Sequence, residues 1–137
     1  MMKWHPRIKK RLLLVDDERD FIDTIKRFLE PRGYATVIAY NGKEALEKAT
    51  RGADLILLDI MMPGMDGFEV LRRLRSDPAT KGIPIIMLTA KAETKDIFEA
   101  KGLKATDYLI KPVSMEDLAL VLGRYLDQDK RTPADLA

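Results

Sequence analysis

Two uninterrupted apolar runs in this chain each end on acid: Leu12-Leu13-Leu14-Val15 is followed by Asp16 and Asp17, and Leu55-Ile56-Leu57-Leu58 by Asp59. Short continuous runs bounded by polar residues predict strands buried on both faces. Similar stretches predict further strands over 34–39, 83–88, with Pro84 near its start where it breaks no central ladder, and 105–110. Between these the period changes. Phe21, Ile22, Ile25, Phe28 and Leu29 fall on one face of a helix, which Pro31 and Gly33 close. A short helix over 42–49 turns Ala45, Leu46 and Ala49 inward. After the loop Met61-Met62-Pro63-Gly64-Met65, Asp66 is the predicted N-cap of a third helix, with Glu69 in capping-box position and Phe68, Leu71 and Leu74 as its buried stripe. A weaker helix is predicted over 93–101. Ser114 caps a last one, whose apolar side is Leu118, Val121, Leu122 and Tyr125.

Strand and helix thus alternate five times, the pattern of an α/β fold with a parallel sheet covered on both faces. Right-handed crossovers leave few topologies. The expected one is a doubly wound, five-stranded, flavodoxin-like sheet of order 2-1-3-4-5, an order already described for such folds. It sets strands 1 and 3 side by side. The expected organisation is a basic arm over 1–10, one domain over 11–127, and a polar tail over 128–137 that contains Pro133 and is expected to fray. No internal repeat or linker interrupts it.

Composition narrows the class rather than the function. At 137 residues, 46% hydrophobic and 34% charged, the chain suits a single globular domain and not a disordered one. No apolar run approaches the ~20 residues of a spanning helix. The N-terminus lacks the apolar stretch of a signal peptide, and without cysteine there is no disulfide framework or thiolate site. A cytoplasmic protein is expected. The net charge of +2 is too small to argue for nucleic acid. Lys3, Arg7, Lys9, Lys10 and Arg11 form either a solvated arm or a phosphate-backbone contact, and no nucleic-acid motif supports the second.

The chemistry gathers at predicted strand ends. A parallel sheet holds its ligand crevice outside the carboxyl ends of its strands, which is where Asp16, Asp17 and Asp59 fall. Two carboxylates ~4 Å apart repel by about 4 kcal/mol at an effective dielectric of ~20, so the cluster calls for a hard divalent cation. Thr89 closes the fourth strand and Lys111 the fifth. Three acids, a hydroxyl and an ammonium at one edge suit phosphoryl transfer: a carboxylate nucleophile, a metal ion against the phosphoryl charge, and two groups to hold its oxygens. Alone, each residue has an ordinary structural explanation as a cap, a strand end or a solvated charge. Their joint placement is what favours function.

The stretches Leu13-Leu14-Val15-Asp16-Asp17-Glu18, Asp59-Ile60-Met61-Met62-Pro63-Gly64-Met65-Asp66-Gly67, Leu88-Thr89-Ala90 and Asp107-Tyr108-Leu109-Ile110-Lys111-Pro112 occur in that order. With them the chain resembles the receiver domain of two-component response regulators, from about Arg11 to Leu126. The resemblance implies that Asp59 is the phosphoacceptor, taking a phosphoryl group from a sensor histidine kinase or a histidine phosphotransfer protein. It implies Mg²⁺, with Mn²⁺ or Ca²⁺ as substitutes, held by Asp17 directly, Asp16 through water, Asp59, and the backbone carbonyl of Met61. Thr89 and Lys111 would hold the phosphoryl oxygens, Thr89 and Tyr108 would form the conformational switch, and the Lys111-Pro112 bond would be cis.

Several positions depart from or refine that pattern. Met61 and Lys91 stand two residues beyond the acceptor and the threonine, where the family tunes phosphoryl lifetime. Neither orients water readily, so slow to moderate self-dephosphorylation is expected. Lys104 stands where many relatives carry glycine. Met61, Met62 and Met65 are expected to serve loop packing. No DNA-binding domain follows, so a stand-alone, chemotaxis-regulator-like switch is expected. Its output would be a protein contact through the fourth and fifth helices and fifth strand, where Leu120 lies off the buried stripe; no membrane contact is expected. Two alternatives remain at this stage. A small Mg²⁺-dependent aspartate-nucleophile phosphohydrolase of the haloacid dehalogenase type would place a second acid where this chain has Met61. A flavin-binding relative would need a phosphate-cradling loop where Asp16-Asp17-Glu18 stands.

Overall fold

The computed structural model describes residues 9–90 and 99–126. The predicted arm up to residue 8, Lys91, the start of the helix over 93–101, and the tail lie outside the described residues. The chain runs β1 (Arg11–Val15), α1 (Arg19–Leu29), a 3-10 turn (Glu30–Arg32), β2 (Ala35–Ala39), α2 (Gly42–Ala49), β3 (Leu55–Asp59), α3 (Gly67–Ser76) and β4 (Ile85–Thr89). It continues through α4, described at 99–102, to β5 (Asp107–Ile110) and α5 (Met115–Leu126). All strand pairs are parallel, in the order β2-β1-β3-β4-β5. No helix among the described residues is long and apolar enough to cross a membrane.

The uninterrupted apolar runs have a simple cause. Successive strand residues point to opposite faces, and both faces are covered. Leu13, Val15, Ile56, Leu58, Ile85 and Met87 join the core beneath α2 and α3, while Leu12, Leu14, Leu55, Leu57, Ile86 and Leu88 join the one beneath α1 and α5. A single polar residue within β1 or β3 would leave an unpaired group in one core or the other. The acids can therefore enter only where the strands stop.

Three strands begin later than their apolar runs. Tyr34 follows Gly33, which is left-handed at φ 93°, and its N–H returns to the Leu29 carbonyl as part of the helix ending. Pro84 precedes β4 and has no N–H, although its carbonyl accepts the Ile56 N–H at 2.9 Å. Ala105 donates back to Ala100 at 2.8 Å, past a left-handed Lys104 at φ 68°. The glycine-type turn thus persists with lysine in it.

Two caps have the predicted geometry. The Glu69 N–H donates to Asp66 Oδ1 at 3.0 Å and the Asp117 N–H to Ser114 Oγ at 3.0 Å. The predicted capping box is only half formed. The Glu69 carboxylate pairs with Arg72 at 2.7 Å and Arg73 at 2.9 Å, a turn further along the helix, in place of the Asp66 N–H.

Candidate functional site

The β1–β3 register pairs Val15 with Leu58, so the next residue of each strand, Asp16 and Asp59, meet at the carboxyl edge of the sheet. Asp16 is 0% exposed and Asp59 3%, whereas Asp17 points to solvent. One carboxylate oxygen from each of the three lies within 4.8 Å of the others. Asp16 Oδ1 accepts the Glu18 N–H at 2.9 Å and Asp59 Oδ1 accepts the Met61 N–H at 3.3 Å. The buried Asp16 Oδ2 accepts no aligned hydrogen bond. Three carboxylates whose oxygens converge at one sheet edge, two of them buried, are the donor set a hard cation takes, so these residues fit Mg²⁺.

Lys111 reaches this cluster from the end of β5. Its Nζ lies 2.7 Å from Asp16 Oδ2 and 3.7 Å from Asp59 Oδ1 as ion pairs. Burial pulls the ammonium down, but the Asp16 and Asp59 carboxylates outweigh it and hold the lysine above its ordinary value. Asp59 is pushed up to about 7, first by burial and then by the charge of Asp16, with Lys111 opposing. Burial likewise raises Asp16, against the Lys111 ammonium and the Glu18 N–H. The site has more negative charge than one lysine neutralises.

Thr89 is buried at the end of β4, and its carbonyl accepts the Lys111 N–H at 2.7 Å. The Lys111-Pro112 bond is cis. Tyr108 sits on β5 opposite Met87 and is exposed at its outer surface. It lines a shallow groove of about 320 Å³ together with Asp107, Ile110, Leu120 and Arg124. The loop after Asp59 does not pack as one unit. Met62 enters the core and Met65 packs against it, but Met61 is 72% exposed, so the expected packing role fails for that residue. Its side chain follows Ile60, whose buried side chain takes the inward position.

Sequence reasoning gave no role to two residues here. At Gly67 an added Cβ would lie 2.2 Å from the Asp59 carbonyl oxygen, so only glycine lets α3 start against the end of β3. The Gly67 N–H donates to the Ile60 carbonyl at 2.9 Å, fixing that loop. Glu18 reaches the Lys111 ammonium at 3.3 Å. A glycine after an N-cap was a readable hint of the first; nothing local hints at the second.

Known proteins carry the same organisation. The sequence profile of the response regulator receiver domain matches residues 12–122. The response regulator SaeR of Staphylococcus aureus is 36% identical over 120 residues, which are 88% of this chain and 52% of SaeR. The chain thus spans about half the length of the curated relatives it matches. The chemotaxis protein CheY4 of Vibrio cholerae superposes with a TM-score of 0.82 at 35% identity, over 87% of this chain and 100% of that one. The receiver domain of the sensor histidine kinase PA1611 of Pseudomonas aeruginosa, solved with a magnesium ion coordinated in its active-site cleft, gives 0.81 at 30% identity over 88% and 100%. A five-stranded 2-1-3-4-5 sheet, an acid cluster where its first and third strands end, and a profile match over most of its length together make this chain a member of the response regulator receiver domain family.

Proposed function

We propose that Asp59 accepts a phosphoryl group from a phosphohistidine on a sensor histidine kinase or histidine phosphotransfer protein, and that the resulting change of state is read by a protein partner. The observation that carries this reading is the convergence of three carboxylates within 4.8 Å with an ammonium 3.7 Å from the acceptor. An Asp59 oxygen attacks phosphorus, the phosphorus–nitrogen bond breaks, and the histidine nitrogen keeps the electron pair and takes a proton. The acceptor must be ionised, and Lys111 favours that form by its charge. Lys111 and the Thr89 hydroxyl then hold phosphoryl oxygens. Asp16, Asp17, Asp59 and the Met61 carbonyl are the groups that would hold Mg²⁺, for which Mn²⁺ or Ca²⁺ can substitute; the ion offsets charge on the transferring group.

The output reading follows from Thr89 and Tyr108. Movement of the Thr89 hydroxyl toward the phosphate frees space into which the exposed Tyr108 ring turns, and this alters the α4–β5–α5 face where Ile110 and Leu120 are exposed. Phosphorylation biases a two-state equilibrium in that scheme. Slow to moderate self-dephosphorylation follows from the identities of Met61 and Lys91, neither a carboxylate nor an amide that would readily orient an attacking water; a phosphoryl lifetime of seconds would contradict it. The chemistry is confined to the protein's own aspartate, so it is a switch and not a metabolic enzyme.

The decisive experiment is incubation with Mg²⁺ and acetyl phosphate, followed by intact mass. Gain of a single phosphoryl group that Asp59→Asn abolishes is the expected result. Sustained hydrolysis of unrelated phosphoesters would overturn the reading in favour of a phosphohydrolase.

A further inference from the structure

Three carboxylates compete for one ammonium at the edge of the sheet. Lys111 Nζ lies 2.7 Å from Asp16, 3.3 Å from Glu18 and 3.7 Å from Asp59, and 4.5 Å above the centre of the Phe21 ring. Glu18 differs from the other acids. Its side chain is 65% exposed, and its only described side-chain partner is Lys111. It also stands at the N-cap of α1, where a serine, threonine, aspartate or asparagine would serve better, and its side chain makes no capping bond. The side chain is directed to the lysine instead.

That contact has a consequence once Asp16 is engaged by a divalent ion. Lys111 pairs with Asp16 Oδ2 at 2.7 Å, so a divalent ion held at Asp16 would compete with the ammonium for the Asp16 charge. An ammonium displaced from it needs another counter-charge within reach, and the Phe21 ring face supplies a favourable floor. We propose that Glu18 is a positioning residue that takes over the Lys111 ammonium, above Phe21, when a divalent cation occupies Asp16, and thereby strengthens cation binding. This rests on the reading that Asp16, Asp17 and Asp59 hold Mg²⁺. Glu18 itself holds neither the ion nor the phosphoryl group.

A double-mutant cycle on Mg²⁺ affinity tests it, by calorimetric titration without any phosphodonor. Glu18→Gln is expected to weaken Mg²⁺ binding about three- to fivefold, the range of an exposed ion pair, and to change it less than twofold in a Lys111→Met background. Glu18→Asp keeps the charge and is the better helix cap, but is one methylene too short to hold the ammonium. It is expected to raise helix stability while lowering Mg²⁺ affinity as Gln does. Equal losses with and without Lys111 would mean that Glu18 attracts the ion by charge alone, and would overturn the proposal. So would unchanged affinity in Glu18→Gln, or wild-type affinity in Glu18→Asp. If the wild-type protein shows no Mg²⁺ binding, the metal reading of the site falls together with this proposal; if it binds and the cycle is flat, only this proposal falls.

Discussion

Asp16 stands beside Asp59 at the adjoining strand end, and its charge adds to burial in lifting Asp59 to about 7. Ionising Asp59 therefore works against the fold. A group whose folded value is raised stabilises the folded state below its unfolded value, near 3.8 here, and loses that contribution as pH rises through about 7. In EDTA, Asp59→Asn should be as stable as wild type near pH 4 and more stable by ~2 kcal/mol at pH 8, about half of the full linkage value. Urea denaturation at several pH values measures this. Parallel stability curves for the two proteins would show that Asp59 titrates normally.

Divalent cation should reverse that penalty. Mg²⁺ that binds only the folded state raises the melting temperature with concentration, by an amount equivalent to ~2.7 kcal/mol at a hundredfold excess over its dissociation constant. Asp17→Ala should abolish most of the rise. Asp17 is exposed, so the metal-free variant should melt close to wild type. A rise that survives Asp17→Ala would sink the metal assignment.

Gly67 should tolerate nothing larger. A methyl group would sit 2.2 Å from the Asp59 carbonyl oxygen and 2.7 Å from Ile60 Cα, both backbone atoms. Gly67→Ala should cost roughly 3 kcal/mol, the upper end for an overpacked site. Because α3 would have to retreat from the Asp59 strand, phosphorylation by acetyl phosphate should also slow. Full stability in chemical denaturation would be incompatible with the close approach.

At the far edge of the sheet, Arg75 donates to the carbonyls of Lys104 at 2.9 Å, Lys81 at 3.0 Å and Ile83 at 2.7 Å, and to Thr106 Oγ1 at 3.2 Å. Arg75→Met removes the guanidinium from all four acceptors, of which the part-buried Ile83 carbonyl and Thr106 Oγ1 are the harder for water to reach, and should destabilise by about 2 kcal/mol. Lys104→Gly should instead stabilise by up to about 1 kcal/mol, because φ 68° strains any side chain. Thermal melts of both variants decide the matter.

What the chain disclosed in advance followed from burial. Strands covered on both faces must be apolar throughout, so the acids Asp16, Asp17 and Asp59 marked their ends; alternation with helices narrowed the sheet to few topologies, and the order found is the one already described for such folds. What it concealed depended on partners that sequence does not mark. Arg75 looks like any helix-surface arginine, since three of its acceptors are backbone carbonyls. Glu18 and Lys111 are 93 residues apart, and only the folded sheet edge makes them neighbours. Glu69 had two competing claims, the Asp66 N–H and the arginines one turn on; the full charges won. Met61 misled because its companions Met62 and Met65 do pack.

The Arg75 clasp and the acid cluster occupy opposite poles of the molecule. Thr106 pairs with the Ile85 amide where β4 begins, and Thr89 closes that strand beside the acids. Four residue steps separate them, about 13 Å. Mutational effects at that separation, with no shared partner, add to within about 0.5 kcal/mol. Stability can therefore be adjusted at one pole while the charge of the acid cluster is retuned at the other, with little cross-talk between the two.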